Sequence, residues 1–362
     1  MISIRNLHRA LWVTGVTLAL FTVMTVSVSA QSIVVTVSEP SCSAEMLCET
    51  RLSYSGRIYS FQQETYYLYI QNADRSGYAR YDLSAYNEFP PPLNGFVDLV
   101  FFEDAELVAF YSVDGYLHLY SLATGQLETI NVGIYPARLI ACNRYSPLLY
   151  LTPNYIVRLG GTNQLAICEV NDQRHLLIHL FDVVSTSIIQ TIDFGRAARG
   201  VGDRDVPWPS LVGGLDGRLY IMTASEAPPE LLAGYSENRA ENTFTIFGLT
   251  PLSTTWTAQT VLPQQIWNDP RFISLPRYPL NAFQFVSVDT AGNYYFYSGW
   301  TEHEQNLQFR TEVARVSPSG DETVWITDRD LGRRGVFSGL SITGEMLLQS
   351  GPTPQEWVLM GN

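Results

Sequence analysis

The chain has 362 residues, of which 46% are hydrophobic, so it is long enough to bury a large core. Its formal net charge is −13, and every one of its basic residues is an arginine. An acidic chain lacks the basic patches with which proteins bind phosphate backbones, so the composition argues against a nucleic-acid partner. The length alone suggests two domains, but all-β folds often reach this size as one domain.

The N-terminus has the pattern of an export signal. Arg5 and Arg9 precede an apolar stretch at residues 10–26, and residues 28–30 (VSA) have the small side chains of a cleavage site. We therefore predict that residues 1–30 are a signal peptide and that the protein is secreted or otherwise extracytoplasmic, in a bacterial periplasm or at the cell surface. The alternative is an uncleaved membrane anchor, because the apolar stretch approaches the roughly 20 residues that span a bilayer.

Residues 31–50 are predicted to form an N-terminal strand followed by a cysteine-containing loop. Residues 32–37 (SIVVTV) alternate like a strand, and we expect them to complete the last unit of a closed ring. The chain has four cysteines, an even number, in a protein predicted to leave the cytosol, which favours disulfides over a metal site. The pairings that we predict are Cys42–Cys48 and Cys142–Cys168.

Residues 51–362 are predicted to form the main domain, and its clearest unit is residues 106–129. There, apolar runs at residues 107–113 and 116–122 flank Asp114-Gly115. An Asp-Gly pair between two such runs predicts a hairpin with a type I′ turn, which needs positive φ at both central residues. Such a meander cannot bury its faces alone and needs similar neighbours. Because no capped helical pattern follows the signal, we predict an all-β fold.

Two short patterns recur along this domain. One is a glycine-containing turn, at Asp114-Gly115, Asp216-Gly217, residues 289–293 and Thr343-Gly344. The other is a short stretch predicted to end an outer strand, which begins with an aromatic residue or valine, at residues 81–83, 120–122, 181–183, 247–249 and 316–318. Their spacing is uneven compared with the roughly 40–50 residues of a propeller blade, so several units must carry insertions. We predict a β-propeller of six blades, with seven as the alternative.

Three of these stretches resemble known propeller repeats. Residues 112–126 (SVDGYLHLYSLATGQ) resemble the repeat of quinoprotein-like propellers. Residues 286–299 and 314–326 look like an NHL- or lactonase-type blade, and residues 209–217 are similar to the same pattern. The resemblance implies a propeller fold, but many unrelated activities share that fold. The calcium and quinone sites of the quinone enzymes have no residue-by-residue match here, so no catalytic residue and no cofactor is transferred.

Four tryptophans fall in or near predicted loops and are our candidate ligand-binding residues: Trp208, Trp256, Trp267 and Trp300. Exposed aromatic side chains can stack on sugars or hold a peptide. The alternative is that these tryptophans cap the ends of the blades as part of the core.

Two Asp-Arg-Asp triplets give the candidate metal ligands, which are Asp203, Asp205, Asp328 and Asp330. Calcium is the ion that such carboxylates would bind, but it prefers more oxygen ligands than a triplet offers. The alternative is a solvated loop in which the arginine pairs with the acids. His175 and His179 are spaced four apart, which on a helix would suit a metal, but we interpret them as ordinary strand residues.

The sequence thus leaves three functional hypotheses. The first is a secreted propeller that acts as a binding or scaffolding module for a protein, a peptide or a glycan. The second is a metal-dependent enzyme of the lactonase or hydrolase type, with carboxylates around the central channel. The third is a periplasmic or surface scaffold held by an uncleaved N-terminal helix. We favour the first because the sequence contains no GxSxG elbow, P-loop or CxxC pair.

Overall fold

A computed structural model describes the chain in segments between residues 34 and 360, all within one compact unit, Val34–Gly361. The described residues are 34–38, 48–87, 93, 96–112, 114–134, 156–170, 175–196, 210–223, 245–253, 255–262, 284–298, 301–303, 306–308, 312–327, 335–350 and 356–360. The predicted signal peptide, residues 1–30, lies outside them. None of the helices in these segments is long and apolar enough to cross a membrane.

The described residues form six four-stranded antiparallel sheets, numbered here along the chain. The first strand, β1 (Val34–Ser38), belongs to sheet 6. Sheet 1 consists of β2 (Cys48–Leu52), β3 (Ile58–Gln62), β4 (Tyr67–Gln71) and β5 (Tyr78–Asp82), followed by a 3-10 turn, Ser84–Tyr86. Sheet 2 consists of β6 (Phe96–Phe102), β7 (Leu107–Ser112), β8 (Tyr116–Ser121) and β9 (Leu127–Asn131). Sheet 3 consists of β10 (Ile156–Arg158), β11 (Gln164–Val170), β12 (His175–Asp182) and β13 (Ser187–Arg196).

The remaining sheets follow the same plan. Sheet 4 consists of β14 (Ser210–Gly213), β15 (Leu219–Thr223), β16 (Thr245–Leu249) and β17 (Thr257–Val261). Sheet 5 consists of β18 (Gln284–Val288), β19 (Tyr294–Ser298), β22 (Glu312–Val316) and β23 (Thr323–Thr327), with a two-stranded hairpin, β20 (Thr301–His303) and β21 (Asn306–Gln308), inserted before β22. Sheet 6 consists of β24 (Gly335–Leu340), β25 (Met346–Ser350) and β26 (Glu356–Met360), completed by β1.

The sheets are arranged in a closed circle, with their first strands innermost. β10 contacts β6 and β14, β18 contacts β14 and β24, and β24 contacts β2. The remaining junction, between β2 and β6, is bridged by an ion pair described below. A closed circle of four-stranded antiparallel sheets with inner first strands is a β-propeller, so the predicted all-β propeller fold is confirmed.

In sheets 1 and 2 the second strands are more buried than the fourth strands, and this explains the sequence pattern there. All five residues of β3 are buried, whereas the outermost strand β9 is exposed or half-buried throughout. A strand covered on both faces is apolar without interruption, and only a strand with a wet face needs to alternate. The apolar run in β7 is therefore typical of an inner strand.

The core lies between the sheets. Phe61 of sheet 1 meets Phe110 of sheet 2 edge to face, with ring centroids 5.1 Å apart. Tyr220 of sheet 4 and Tyr294 of sheet 5 pack in the same manner at 6.3 Å. Leu347 of sheet 6 packs in one cluster with residues of sheet 1. Each sheet thus covers the apolar face of its neighbour, as stacked repeats require.

The two ends of the chain meet in sheet 6. β1 pairs antiparallel with β26, from Val34 opposite Met360 to Ser38 opposite Glu356. The predicted role of residues 32–37 as a closing strand is therefore correct, with the strand itself at Val34–Ser38. The backbone pairing of β1 with β26 therefore closes the ring at this sheet.

The recurring turns do not all occupy the same place in their sheets. Asp114-Gly115 joins a second strand to a third, whereas Asp216-Gly217, residues 289–293 and Thr343-Gly344 join first strands to second strands. Successive antiparallel strands end at opposite ends of a sheet, so the Asp114-Gly115 turn lies at the other end of the ring from the three other turns. The strand ending at residues 81–83 is likewise displaced, because it follows a fourth strand and the others follow third strands.

The type I′ turn predicted at Asp114-Gly115 is wrong. Gly115 has a φ of 76°, but Asp114 is not among the residues with positive φ. Gly115 N–H donates to the carbonyl of Ser112 at 3.2 Å. A type I′ turn needs positive φ at both central residues and joins strands through a two-residue loop. The loop between β7 and β8 has three residues, and a loop of that length places a glycine at positive φ in its last position. A Cβ on Gly115 would also lie 2.6 Å from the carbonyl oxygen of Ile134.

Candidate functional site: the central channel

The inner strands surround a cavity of about 160 Å³ on the axis of the ring. Each of the six sheets contributes to its wall. One lining residue from each sheet, in order, is Arg51, Asp98, Arg158, Val212, Ser287 and Ser338. We call this cavity the central channel. Pockets at the axis of a closed ring of sheets are common ligand positions, because side chains from many elements converge there.

Arg51 and Asp98 form a buried ion pair in the channel wall. Arg51 Nη2 lies 3.1 Å from Asp98 Oδ1, and the two side chains are 11% and 2% exposed. Asp98 also accepts hydrogen bonds from the backbone N–H groups of Leu99 at 2.9 Å and Ile156 at 3.1 Å. Its carboxylate therefore connects the inner strands of sheets 1, 2 and 3, and both of its oxygens already have partners.

Arg158 is the second cation of the wall. Its Nη1 donates to the carbonyl of Phe101 at 2.7 Å. The guanidinium carbon lies 4.9 Å from the ring centroid of Phe102 and 5.5 Å from that of Tyr54, within range of cation–π attraction. Burial lowers the pKa of Arg158, an effect that nearby Glu103 opposes. Arginine titrates so high that the group stays charged at neutral pH.

The other edge of the Arg158 guanidinium has no acceptor. Nε and Nη2 are both buried and form no hydrogen bond with any part of the chain that the structure describes. These two nitrogens lie on the same edge of the planar group, the edge that binds a carboxylate with two parallel bonds. Buried polar groups in native proteins are nearly always satisfied, so this edge, which is unpaired and closed to solvent, is an exception.

Glu103 lies close to this arginine, but its carboxylate forms hydrogen bonds with other residues. Its carboxylate accepts hydrogen bonds from Ser53 Oγ at 2.7 Å, from Ser55 N–H at 2.8 Å and from Ser55 Oγ. These bonds join the first turn of sheet 1 to that of sheet 2. Glu103 thus ties two neighbouring sheets together at the end of the ring where first strands lead into second strands.

The wall of the channel carries a positive excess. Its described lining includes two arginines and one carboxylate, that of Asp98, in a chain whose net charge is −13. Nowhere in the described segments do three or more His, Cys, Asp or Glu side chains group to hold a metal ion. The charges of the described wall suit an anionic group better than a cation.

Of the tryptophan candidates, the structure describes Trp256 alone. It is 5% exposed and belongs to a core cluster that includes Phe247 and Leu249. A side chain buried to this degree offers almost no surface to a ligand, so for Trp256 the core alternative replaces the ligand-binding role. The other candidates lie outside the described residues: Trp208, Trp267 and Trp300.

The metal and cysteine predictions fall largely outside the described residues. All four candidate calcium ligands lie outside the described residues: Asp203, Asp205, Asp328 and Asp330. Cys48 lies in β2 and Cys168 in β11. Their predicted partners, Cys42 and Cys142, are outside the described segments, so both pairings stay predictions.

The histidines lie in strands, as predicted. In β12, His179 Nδ1 lies 2.9 Å from Thr191 Oγ1 and its Nε2 lies 2.8 Å from Glu169 Oε2. In sheet 2, His118 has the equivalent place opposite Thr129, at 2.9 Å, but its Nε2 is buried without a hydrogen bond among the described residues. Burial lowers the pKa of His118 to about 4. Both histidines are held by a threonine of the fourth strand.

Sequence reasoning missed the channel residues, although each leaves a signal. Asp98 interrupts the apolar strand FVDLVFF, and Arg158 follows two apolar residues and precedes a glycine pair. A charge inside a run that is otherwise buried on both faces is costly unless it is paired. Such interruptions, rather than the exposed loops, would have directed attention to the axis of the ring.

The fold and its channel define the class of the protein, a β-propeller with a polar, cationic axis. No protein-family model matches the chain, and no curated protein matches it. Among solved structures, it is similar to the β-propeller domain of the Trilobed protease from Pyrococcus furiosus, at 10% identity and a TM-score of 0.44, over 88% of this chain and 95% of that one.

Two further structures show the same level of similarity. One is virginiamycin B lyase from Staphylococcus aureus, at 9% identity and a TM-score of 0.42, over 92% of this chain and 100% of that one. The other is the set of RRP9 WD40 repeats, at 9% identity and a TM-score of 0.44, over 84% and 90% of the two chains. Similarity this distant carries no information on activity, since one fold hosts many functions.

Proposed function

We propose that the protein is an extracytoplasmic binding module, a six-bladed propeller that receives part of a protein, peptide or glycan partner at its central channel. The observation that carries this proposal is the channel itself. All six sheets contribute to its wall, and that wall carries two cations in an acidic protein. A concave site in which a few polar groups are placed among apolar ones is the usual form of a ligand site.

The candidate tryptophans outside the described segments extend this proposal. Trp208, Trp267 and Trp300 follow β13, β17 and β19 in the chain. These three strands all run toward the end of the ring at which second strands lead into third strands. Aromatic side chains near that end would add contact area around a partner that enters the channel.

The experiment is to fill the channel and measure binding. Ser287 lines the cavity and is 6% exposed. We expect Ser287→Phe to abolish binding to the peptides or glycans that the exported protein selects from arrays. Ser187→Phe, in the exposed outer strand β13, is the matched control and should bind as the wild type does. Equal binding by both variants, at equal thermal stability, would remove the channel from the proposal.

The alternative, a metal-dependent lactonase- or hydrolase-type enzyme, has less support from the described wall. Asp98 is the carboxylate found there, and it is held by Arg51 and two backbone amides. Calcium would have to draw its oxygen ligands from elsewhere. A thermal shift with calcium that EDTA reverses would favour this alternative, and it would point first to Asp203, Asp205, Asp328 and Asp330.

Export is the remaining part of the proposal, and it rests on residues 1–30. A signal peptide predicts that the mature chain begins at Gln31. An uncleaved segment would instead make the protein a membrane-held scaffold. N-terminal sequencing of the exported protein distinguishes the two, because the anchored form keeps its first residues.

A further inference from the structure

We propose that Thr191, His179 and Glu169 of sheet 3 form a nucleophile–base–carboxylate relay, and that the Thr191 hydroxyl accepts the acyl group of activated esters. None of the three residues lines the central channel. The inference is therefore independent of the proposed binding function and adds an acyl-transfer chemistry to it.

Three adjacent strands bring the relay together. Glu169 lies in β11, His179 in β12 and Thr191 in the outermost strand, β13. Thr191 is directly opposite His179, and on the other side of His179 the opposite residue is Ile167, two positions before Glu169. Because alternate residues of a strand share a face, the three side chains of the relay lie on one face of the sheet.

The acid fixes which ring nitrogen of His179 carries the proton. An ionised carboxylate has acceptors only, so the 2.8 Å contact with Glu169 Oε2 places the proton of the neutral ring on Nε2. Nδ1 then carries the lone pair, and the Thr191 hydroxyl, 2.9 Å away, donates to it. A hydroxyl that donates to a base held by a third group is the arrangement that activates a nucleophile.

Burial differs along the relay in the way that this chemistry requires. The side chains of His179 and Glu169 are 10% and 13% exposed, so solvent competes little for their hydrogen bond. Thr191, in contrast, is exposed. Its strand is the edge of the described sheet, so alternate N–H groups along β13 have no strand partner there, and one of them lies at or next to Thr191. An N–H donor beside the hydroxyl suits the oxygen that becomes negative when an ester carbonyl is attacked.

The chemical step needs only the ester as a second reactant. Thr191 Oγ1 forms a bond to the acyl carbon, its proton passes to His179 Nδ1, and the bond between the acyl carbon and the leaving oxygen breaks. The same proton then moves from Nδ1 to the leaving oxygen. The products are an acyl-threonine and an alcohol, and the charge of Glu169 stabilises the ring while the ring is positive.

Sheet 2 contains a matched pair that lacks the acid. His118 of β8 is opposite Thr129 of β9, with 2.9 Å between Nδ1 and Oγ1, and Thr129 is also exposed. The Nε2 of His118 is buried and has no hydrogen bond with any described residue. Burial lowers the pKa of His118 to about 4, so this ring is a weak base. We therefore expect Thr129 to be far less reactive than Thr191.

The test treats the full chain with p-nitrophenyl acetate and locates the acetyl groups by peptide mass spectrometry at successive times. We expect Thr191 to be acetylated at least about tenfold faster than Thr129, since a positioned general base contributes roughly 10²–10⁴-fold. Both rates come from one wild-type protein, so the comparison does not depend on the folding of a variant. If Thr191 is labelled no faster than Thr129, the hydrogen bonds of the relay are only structural and the proposal is wrong.

Three variants separate a chemical role from a structural one. Glu169→Gln keeps an oxygen that accepts from Nε2 but removes the charge, so it should slow the acetylation of Thr191 at least about tenfold and leave that of Thr129 unchanged. Thr191→Ser keeps the hydroxyl and should still be labelled at this position, whereas Thr191→Val should lose the label. An undiminished rate in Glu169→Gln, at a melting temperature equal to that of the wild type, would overturn the role of the acid.

Discussion

Arg75 and Glu345 are 270 residues apart in the chain, yet their side chains form a two-point ion pair, with Nη1–Oε1 and Nη2–Oε2 distances of 2.6 Å each. Arg75 lies in the turn between β4 and β5 of sheet 1, and Glu345 lies in the turn before β25 of sheet 6. The pair therefore bridges the first and last sheets of the ring. Close by, Ile342 N–H donates to the carbonyl of Tyr54 at 2.8 Å across the same junction.

This pair should make a small, measurable contribution to stability. Arg75 is 42% exposed, so solvent screens the attraction, but the two-point geometry is favourable. We expect a double-mutant cycle of Arg75→Gln and Glu345→Gln to give a coupling free energy of about 0.5–1 kcal/mol in urea unfolding. Arg80→Gln, at an exposed position in the same sheet, should show no coupling to Glu345→Gln. Additive single mutants would show that the pair contributes nothing.

The same coupling should disappear in acid. Burial works to raise the pKa of Glu345, but the hydrogen bonds from Arg75 and Thr343 outweigh it and hold the pKa below its usual value. A carboxyl group with a lowered pKa contributes stability above its unfolded pKa and loses it as the pH falls through the folded value. We expect the full coupling near pH 7 and a loss that begins only below about pH 4.5. An equal coupling at pH 7 and pH 2.5 would contradict this assignment.

The junction between sheets 1 and 6 also shows what the sequence could and could not predict. The alternating run at residues 32–37 sufficed to predict a closing strand, because strand patterning and chain order are local information. The contact of Arg75 with Glu345 depends on which turns face each other after the ring has closed. The sequence groups Thr343-Gly344, in the turn that carries Glu345, with Asp114-Gly115, although the two turns lie at opposite ends of their sheets.

The channel was harder to foresee for a related reason. Arg51 and Asp98 come from strands of different sheets, and their pairing depends on how neighbouring first strands are aligned. Periodicity predicts that a strand exists, but not which residue of the next sheet lies beside it. A tryptophan in a predicted loop is a local signal of a binding surface. Trp256 shows that such a side chain can instead be buried in the core, because burial depends on contacts that are distant in the chain.

His118 should make the fold sensitive to mild acid. Its pKa is about 4 in the folded protein, because burial disfavours the charged ring, against about 6.5 in an unfolded chain. Between these values the unfolded chain binds the proton and the folded chain does not, so stability falls as the pH is lowered from about 6.5 to about 4. The loss should approach about 3 kcal/mol, from roughly 1.4 kcal/mol per pH unit.

The measurement is the free energy of unfolding at several pH values in this window. His118→Leu keeps a side chain of similar size and removes the titrating group, so its stability should change less with pH than that of the wild type. The lost hydrogen bond to Thr129 is a small effect, because Thr129 is exposed and can bond to water. Parallel pH profiles for the two proteins would show that another group dominates.

Asp98 should be essential for the stability of the inner strands. Asp98→Asn would remove the negative charge that lies 3.1 Å from Arg51, and removing one partner of a buried pair typically costs about 3–5 kcal/mol. We expect a loss near the lower value, because the amide oxygen can still accept from a backbone N–H. Asp114→Asn, at an exposed turn, is the matched control and should change stability by less than about 0.5 kcal/mol. Chemical denaturation of both variants provides the comparison.

The contact between the first strands of sheets 3 and 4 should tolerate no added atom at Gly213. A Cβ on this residue of β14 would lie 1.9 Å from the carbonyl oxygen of Arg158 in β10, so the two inner strands would have to separate. We expect Gly213→Ala to cost about 3 kcal/mol, since overpacking against backbone cannot be relieved by a change of rotamer. Gly77→Ala is the control, because its Cβ would meet nothing closer than Asn72 Nδ2 at 3.8 Å.

The same substitution also tests the geometry of the channel. Because the strained contact is with the backbone of Arg158, Gly213→Ala should shift the ¹⁵N Nε–H resonance of that arginine, which Arg158→Lys identifies by its loss, whereas Gly77→Ala should leave it unchanged. A stable Gly213→Ala variant with an unaltered Arg158 resonance would contradict the close contact between the first strands of sheets 3 and 4.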